Sequence, residues 1–157
     1  MLSQESLAAI DAEIAKYPAG QKQSAVMSAL RIAQAEHGWL RPGVIEYVAE
    51  YLEMPAIAAY EVATFYNMYD TQPVGRHKIT VCTNLPCALR GAGEIADHLT
   101  KRLGIGFGDT TEDGRFTLKE GECMGACGDA PMCLHNNHKM HTHLTPEKVD
   151  ELLDKLK

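Results

Sequence analysis

Two pairs of cysteines are the residues of this sequence most able to do chemistry: Cys82-Thr-Asn-Leu-Pro-Cys87 and, further along, Cys123-Met-Gly-Ala-Cys127. Thiolate sulfur is the ligand that iron–sulfur clusters require, and a binuclear cluster takes four of them from the surrounding fold. Structural zinc also takes four cysteines, but it usually closes at least one tight C-x2-C knuckle, whereas the gaps here are C-x4-C and C-x3-C. The spacing favours an iron–sulfur cluster and leaves a zinc-stabilised interaction domain as the alternative. Gly121, Gly125, Ala126 and Gly128 crowd the second pair, so the backbone can wrap closely and aim amide hydrogens at cluster sulfurs. The same glycines would also serve an ordinary tight turn.

The elements around the thiols read as alternating strand and helix. Ile79 and Val81 alternate in a strand over 77–82 that delivers Cys82 at its C-terminal end. Ala92, Ile95, Ala96, Leu99 and Leu103 then mark a helix stopped by Gly104, and 116–118 reads as a second strand leading toward Cys123. Residues 132–134 and 140–144 flank Asn136-Asn137 as a hairpin. Thr145 and Pro146 open a last helix with Val149, Leu152, Leu153 and Leu156 on its inner face. That order is compatible with a small thioredoxin-like sheet.

The N-terminal half is helical throughout. Leu7, Ile10 and Ile14 recur at helical spacing before Pro18 and Gly20; a second helix carries Ala25, Val26, Ala29, Leu30, Ala33 and His37 and ends at Gly38. A third starts at Pro42, with Val44, Ile45, Val48, Tyr51 and Leu52 as its apolar face, and stops before Pro55; a fourth runs through Ile57, Val62 and Phe65 to near Tyr69. Turn residues from Asp70 to Gly75 then change the texture. The expected organisation is an α/β (α+β) chain: an N-terminal helical bundle over 1–74 followed by a thioredoxin-like domain over 75–157.

Composition bounds the function. The chain has 157 residues, 45% hydrophobic content and a net charge of −6, which suits a globular core and argues against a nucleic-acid or anionic-membrane surface. Five cysteines cannot close a complete internal disulfide framework, so four are better read as metal ligands in a reducing compartment, the cytosol. The opening Met1-Leu-Ser-Gln-Glu-Ser-Leu lacks the character of a targeting signal, and no apolar run approaches the roughly 18 residues of a membrane span. No direct membrane insertion is expected.

Four stretches carry a family resemblance: Gly75-Arg-His-Lys-Ile-Thr-Val-Cys82, Asn84-Leu-Pro-Cys87, Cys123-Met-Gly-Ala-Cys-Gly-Asp-Ala-Pro131 and Glu61-Val-Ala-Thr-Phe-Tyr66. They resemble the 24-kDa-type subunit of respiratory NADH:quinone oxidoreductase, complex I, known as the E subunit in bacteria, over nearly the whole chain. The resemblance implies a thioredoxin-like 2Fe-2S ferredoxin behind a helical domain, with Cys82, Cys87, Cys123 and Cys127 as cluster ligands. It implies an electron carrier within an NADH dehydrogenase, beside the FMN- and NADH-binding flavoprotein subunit and other peripheral-arm iron–sulfur subunits. It places the chain in the bacterial cytoplasm, peripheral to the inner membrane through the complex. Soluble NAD-linked hydrogenases and formate dehydrogenases use similar subunits and are the nearest alternative. The chain departs from the family pattern after Pro131, reading Met132-Cys-Leu-His-Asn-Asn-His-Lys-Met-His-Thr-His143 where an apolar strand is usual.

The remaining signals read more plainly. Cys133, alone in a strand, is expected to be a small buried hydrophobe, and without a C-x-x-C there is no dithiol-exchange motif; a thiol enzyme using Cys133 or one of the four paired cysteines with a nearby histidine as base is a remote rival. His135, His138, His141 and His143 are expected on an exposed hairpin, facing solvent, without a metal. Gly104-Ile-Gly106-Phe-Gly108 follows a helix, where a dinucleotide fingerprint must follow a strand, so it reads as a loop. Trp39 and Leu40 read as core, whereas the resemblance turns the stretch from Glu61 to Tyr66, with Tyr69, toward a subunit interface.

Overall fold

Helical periodicity in the N-terminal sequence becomes four α-helices in the computed structural model, which describes residues 1–156: α1 (Gln4–Ile14), α2 (Val26–His37), α3 (Pro42–Tyr51) and α4 (Ala56–Phe65). They lie in the first of two units, Met1–Pro73. Ser3 caps α1 by accepting from the Ser6 amide at 3.2 Å, and its own hydroxyl donates to Glu36 of α2 at 2.9 Å. Gly38 ends α2 at φ 82°, a conformation that other residues resist, and Pro42 opens α3. Ile10, Leu30, Leu40, Ile45, Val48 and Leu52 form the core. Trp39 is half-buried, so Leu40 is the core residue of that pair.

Of the residues that mark helix α4 in the sequence, only Val62 packs, half-buried, against the core. Ala59 and Ala63 face inward, while Ile57 and Phe65 are 67% and 80% exposed. The helix is apolar on every side, so periodicity cannot choose its face, and small side chains let it pack closest. Tyr69, expected toward an interface, is core instead: it is buried and its hydroxyl donates to the Met27 carbonyl at 2.8 Å. The Gln34 side chain sews the same segment down, donating to the Met68 carbonyl and accepting from the Asp70 amide.

The second unit, which begins at Val74, is a four-stranded mixed sheet in the order β2-β1-β3-β4. Its elements are β1 (His77–Cys82), α5 (Leu85–Leu89), α6 (Ala92–Leu103), β2 (Phe116–Gly121), β3 (Cys133–His135), β4 (Lys139–His141) and α7 (Pro146–Lys155). β1 is the pivot: it runs parallel to β2 and antiparallel to β3, which pairs antiparallel with β4. Ile79, Val81, Phe116, Leu118 and Cys133 line one face and are covered by Ile95 and Leu99 of α6 and Val149, Leu152 and Leu153 of α7. Asn136 and Asn137 turn the hairpin at φ 49° and 64°, and Asn136 pins it to β1 by accepting from the Lys78 amide at 2.7 Å. β4 stops at His141, short of the strand that the sequence suggests to Leu144.

The histidine hairpin is half a surprise. His138 and His143 are exposed as expected, but His135 and His141 turn toward the sheet. His135 Nε2 lies 3.1 Å from Nδ1 of His77, the His135 and His141 rings are 6.5 Å apart, and Nε2 of both His77 and His141 is buried without a hydrogen-bond partner. The alternation of β1, β3 and β4 puts these rings on the helix-covered face, which spacing within the hairpin alone could not reveal. Burial, then the neighbouring imidazoles, pushes His135 down to about 4; burial lowers His77 and His141 as well, helped by Arg76 and Arg115 at the first and Lys139 at the second.

The folded state therefore binds fewer protons than the unfolded chain between the ordinary histidine value near 6.5 and about 4. Stability contributed by these neutral rings is complete above that window and declines as pH falls through it. Urea unfolding at pH 7 and pH 5 should show this loss, and His135→Phe should make the decline shallower. An unchanged slope in the variant would contradict the assignment.

Candidate metal centre

Parallel pairing brings the two cysteine pairs to one end of the sheet. Cys82, the last residue of β1, stands opposite Gly121, the last of β2, and Cys123 follows two residues later. Beyond Cys82 the chain turns at Asn84 into α5, a short helix with proline in its first turn that the sequence did not announce, and Cys87 is buried on it. Cys127 opens the short 3-10 turn Cys127–Asp129. Cys82 and Cys87 are buried; Cys123 and Cys127 are exposed.

The four thiols interact two and two. Cys82 neighbours Cys87 and Cys123 neighbours Cys127, each helping to raise the pKa of its partner, and Cys127 is near enough to Cys82 and Cys87 for their charges to interact. Burial, then Cys82, pushes the Cys87 thiol up to about 11; burial, then Cys123, raises Cys127. A thiol whose pKa is raised in this way gives up its proton to a bound metal, because the cation favours the thiolate. Cys82 Sγ donates to the Glu122 carbonyl at 2.7 Å.

The surroundings suit an all-sulfur cluster. Ala92, Ala130 and Met132, with Met124, Ala126 and Leu134, make an apolar shell around Cys82 and Cys87. Among the described residues no three Cys, His, Asp or Glu side chains are gathered closely enough to hold a metal ion. Two pairs of sulfurs are what the two irons of a binuclear cluster take. Cys133 stands outside the group, in the sheet core, where burial pushes its thiol up to about 12. His77, at the head of β1, is at the opposite end of that strand from Cys82, whereas His143 donates its amide to the Asp129 carbonyl at 2.8 Å, in the turn that Cys127 opens.

Two side-chain links that no local pattern predicted join the loops. Thr83 Oγ1 donates to Glu120 at 2.8 Å, and Asn84 Nδ2 donates to Glu122 at 3.2 Å. Between those carboxylates Gly121 leaves no room for a side chain: a Cβ there would strike Met124 Cε and lie 2.8 Å from Thr80 Cγ2.

The family model for thioredoxin-like 2Fe-2S ferredoxins matches residues 10–157. The chain belongs to that family. Its cofactor is the 2Fe-2S cluster, which the donor set fits. The E subunit of the NADH-quinone oxidoreductase of Rickettsia bellii is 47% identical over 145 residues, 92% of this chain and 86% of the relative. That of Rickettsia felis is 48% identical over 142 residues, 90% of this chain and 84% of the relative. The chain belongs with these E subunits. The mitochondrial NADH dehydrogenase (ubiquinone) flavoprotein 2 of Dictyostelium discoideum is 41% identical over 157 residues, 99% of this chain and 63% of that protein. Among solved structures, the NAD+-reducing NiFe hydrogenase in its H2-reduced state aligns with a TM-score of 0.70 at 22% identity, covering 81% of this chain and 22% of that one; this likeness is one of fold. Among the described residues no helix is long and apolar enough to cross a membrane.

Gly121→Ala should destabilise the fold by about 1–3 kcal/mol, because the Thr80 methyl and the tip of Met124 must both shift to admit the new methyl group. Gly128→Ala, which meets open space, should stay within about 0.5 kcal/mol of the parent. Urea midpoints of the two variants check the contrast.

Proposed function

We propose that Cys82, Cys87, Cys123 and Cys127 hold one 2Fe-2S cluster and that the chain is the electron-transfer subunit of the NADH-oxidising module of an NADH:quinone oxidoreductase. The observation that carries this reading is the meeting of two cysteine pairs, distant in sequence, at one end of β1 and β2. A bound cluster supplies one-electron chemistry. The chain's own residues bind it, enclose its Cys82–Cys87 side in apolar packing and leave the Cys123–Cys127 side open. No side chain is asked to act as acid, base or nucleophile. Relatives at 47–48% identity that are NADH-quinone oxidoreductase subunits by name favour complex I over a hydrogenase or formate dehydrogenase.

In this reading the electron partner is the FMN- and NADH-binding flavoprotein subunit, with other peripheral-arm iron–sulfur subunits beyond it. The chain reaches the cytoplasmic side of the inner membrane only through the complex. Residues 1–74 form a helical domain that docks to the flavoprotein, and residues 75–157 form the cluster domain. Support for the dock is the apolar surface of α4 and its end: Ile57 and Phe65 are exposed, and Phe65 packs edge-on against Tyr66 with ring centroids 5.0 Å apart.

Replacing any one of the four cysteines by serine should lose or destabilise the cluster, read as iron, acid-labile sulfide and the EPR signal of the reduced protein; Cys133→Ser should keep all three. Zinc in place of iron and sulfide would select the interaction-domain alternative. For the dock, Ile57→Asp with Phe65→Asp should leave the EPR signal intact and weaken flavoprotein binding at least about tenfold in a pull-down titration. Undiminished binding would move the dock elsewhere.

A further inference from the structure

The two carboxylates that straddle Gly121 are neither acids, bases nor ligands in the reading above, yet each reaches across to the other thiol loop. Glu120, in β2, and Glu122, just past its end, flank Gly121, whose Cβ site is filled by Met124 and Thr80. Glu120 accepts from the Thr83 hydroxyl at 2.8 Å, and Glu122 accepts from the Asn84 amide at 3.2 Å. Asn84 occupies the N-cap of α5, where an asparagine oxygen ordinarily satisfies a helix amide, but its side chain makes no such cap. Its amide is used instead for a bond across 38 residues of sequence.

The backbone alone does not do this job. The last backbone link between the loops is the Thr83 amide donating to the Gly121 carbonyl at 3.0 Å; past it, the chains toward Cys87 and Cys123 part. The contact of Cys82 Sγ with the Glu122 carbonyl requires a thiol hydrogen, which a metal-bound sulfur lacks. The bonds through Thr83 and Asn84 require no such proton and persist when the thiols are deprotonated.

We infer that Glu122 with Asn84, backed by Glu120 with Thr83, is a latch that sets the spacing between the Cys82–Cys87 and Cys123–Cys127 pairs. These are positioning residues, acting on the cluster through the loops. The inference rests on the four-thiol reading above. Loss of the Glu122–Asn84 bond lets the second loop swing and opens the cluster to release.

The test uses the full chain, loaded with iron and sulfide, with cluster loss to a chelator followed by absorbance and the reduced EPR spectrum recorded alongside. Glu122→Ala and Asn84→Ala should each speed release roughly threefold to tenfold, the reach of an exposed charge-assisted hydrogen bond. The double variant should be no faster than either single one, since both remove the same bond. Glu122→Gln, which keeps an acceptor oxygen, should restore slow release and the parent EPR line shape, a rescue that a general loss of fold would not give. Additive effects, or single variants that release at the parent rate from a loaded protein, overturn the latch and leave the four-thiol reading standing. A parent chain that takes up no iron and sulfide overturns both.

Discussion

Everything about the metal centre depends on β1 and β2 running parallel and in register. Only a parallel pair puts two C-terminal ends side by side, and the pairing of Cys82 with Gly121 brings the second loop out where the first one leaves. A parallel pair needs a crossover, supplied here by α6, whose Ile95 and Leu99 bury the sheet face they span. β3 closes the other edge of β1 in the antiparallel sense, so the chain returns from Cys127 past Met132, whose carbonyl accepts from the Cys82 amide at 3.1 Å. The thiol site is thus framed on both edges of a single strand.

The two ends of β1 solve opposite protonation problems. At Cys82 the sheet gathers thiols of which Cys87 and Cys127 are raised by burial and by their cysteine neighbours, which favours their protonated forms. At His77 it gathers imidazoles that burial and nearby cations keep neutral. The first favours protonated thiols, and the second keeps its rings neutral except in acid. Both use the same means, which is low solvation at the margin of a packed sheet.

Local signals in the sequence found what local physics decides. Gly38 and Gly104 end helices at positive φ, Pro42 opens one, and Thr145 caps another by accepting from the Lys148 amide. The strand over 77–82 and the thiol pairs were legible because alternation and spacing lie within a few residues. What stayed hidden depends on partners far along the chain. The inward face of α4 is chosen by close approach of alanines, not by periodicity, and Tyr69 is core because its hydroxyl finds Met27. His135 left the surface because β1 supplied His77 beside it. The links of Glu120 and Glu122 follow from strand register, which no stretch of β2 contains by itself.

Burial of the thiols is asymmetric, and that asymmetry bears on how such a centre would exchange electrons. With the proposed ligand set, the Cys82–Cys87 side lies against Ala92, Ala130 and Met132, while Cys123 and Cys127 lie in an exposed loop. An enclosed side lowers the local dielectric and excludes water, and an open side lets a partner come near. Outer-sphere transfer needs proximity more than contact chemistry, so under the proposed ligand set the exposed loop would be the side that a redox partner approaches. Leu85 and Leu89 on α5, 68% and 78% exposed, add apolar surface to the helix that carries Cys87. A partner seated there would remove water from the open side as well, so the environment of the cluster would be completed by association rather than by this chain alone.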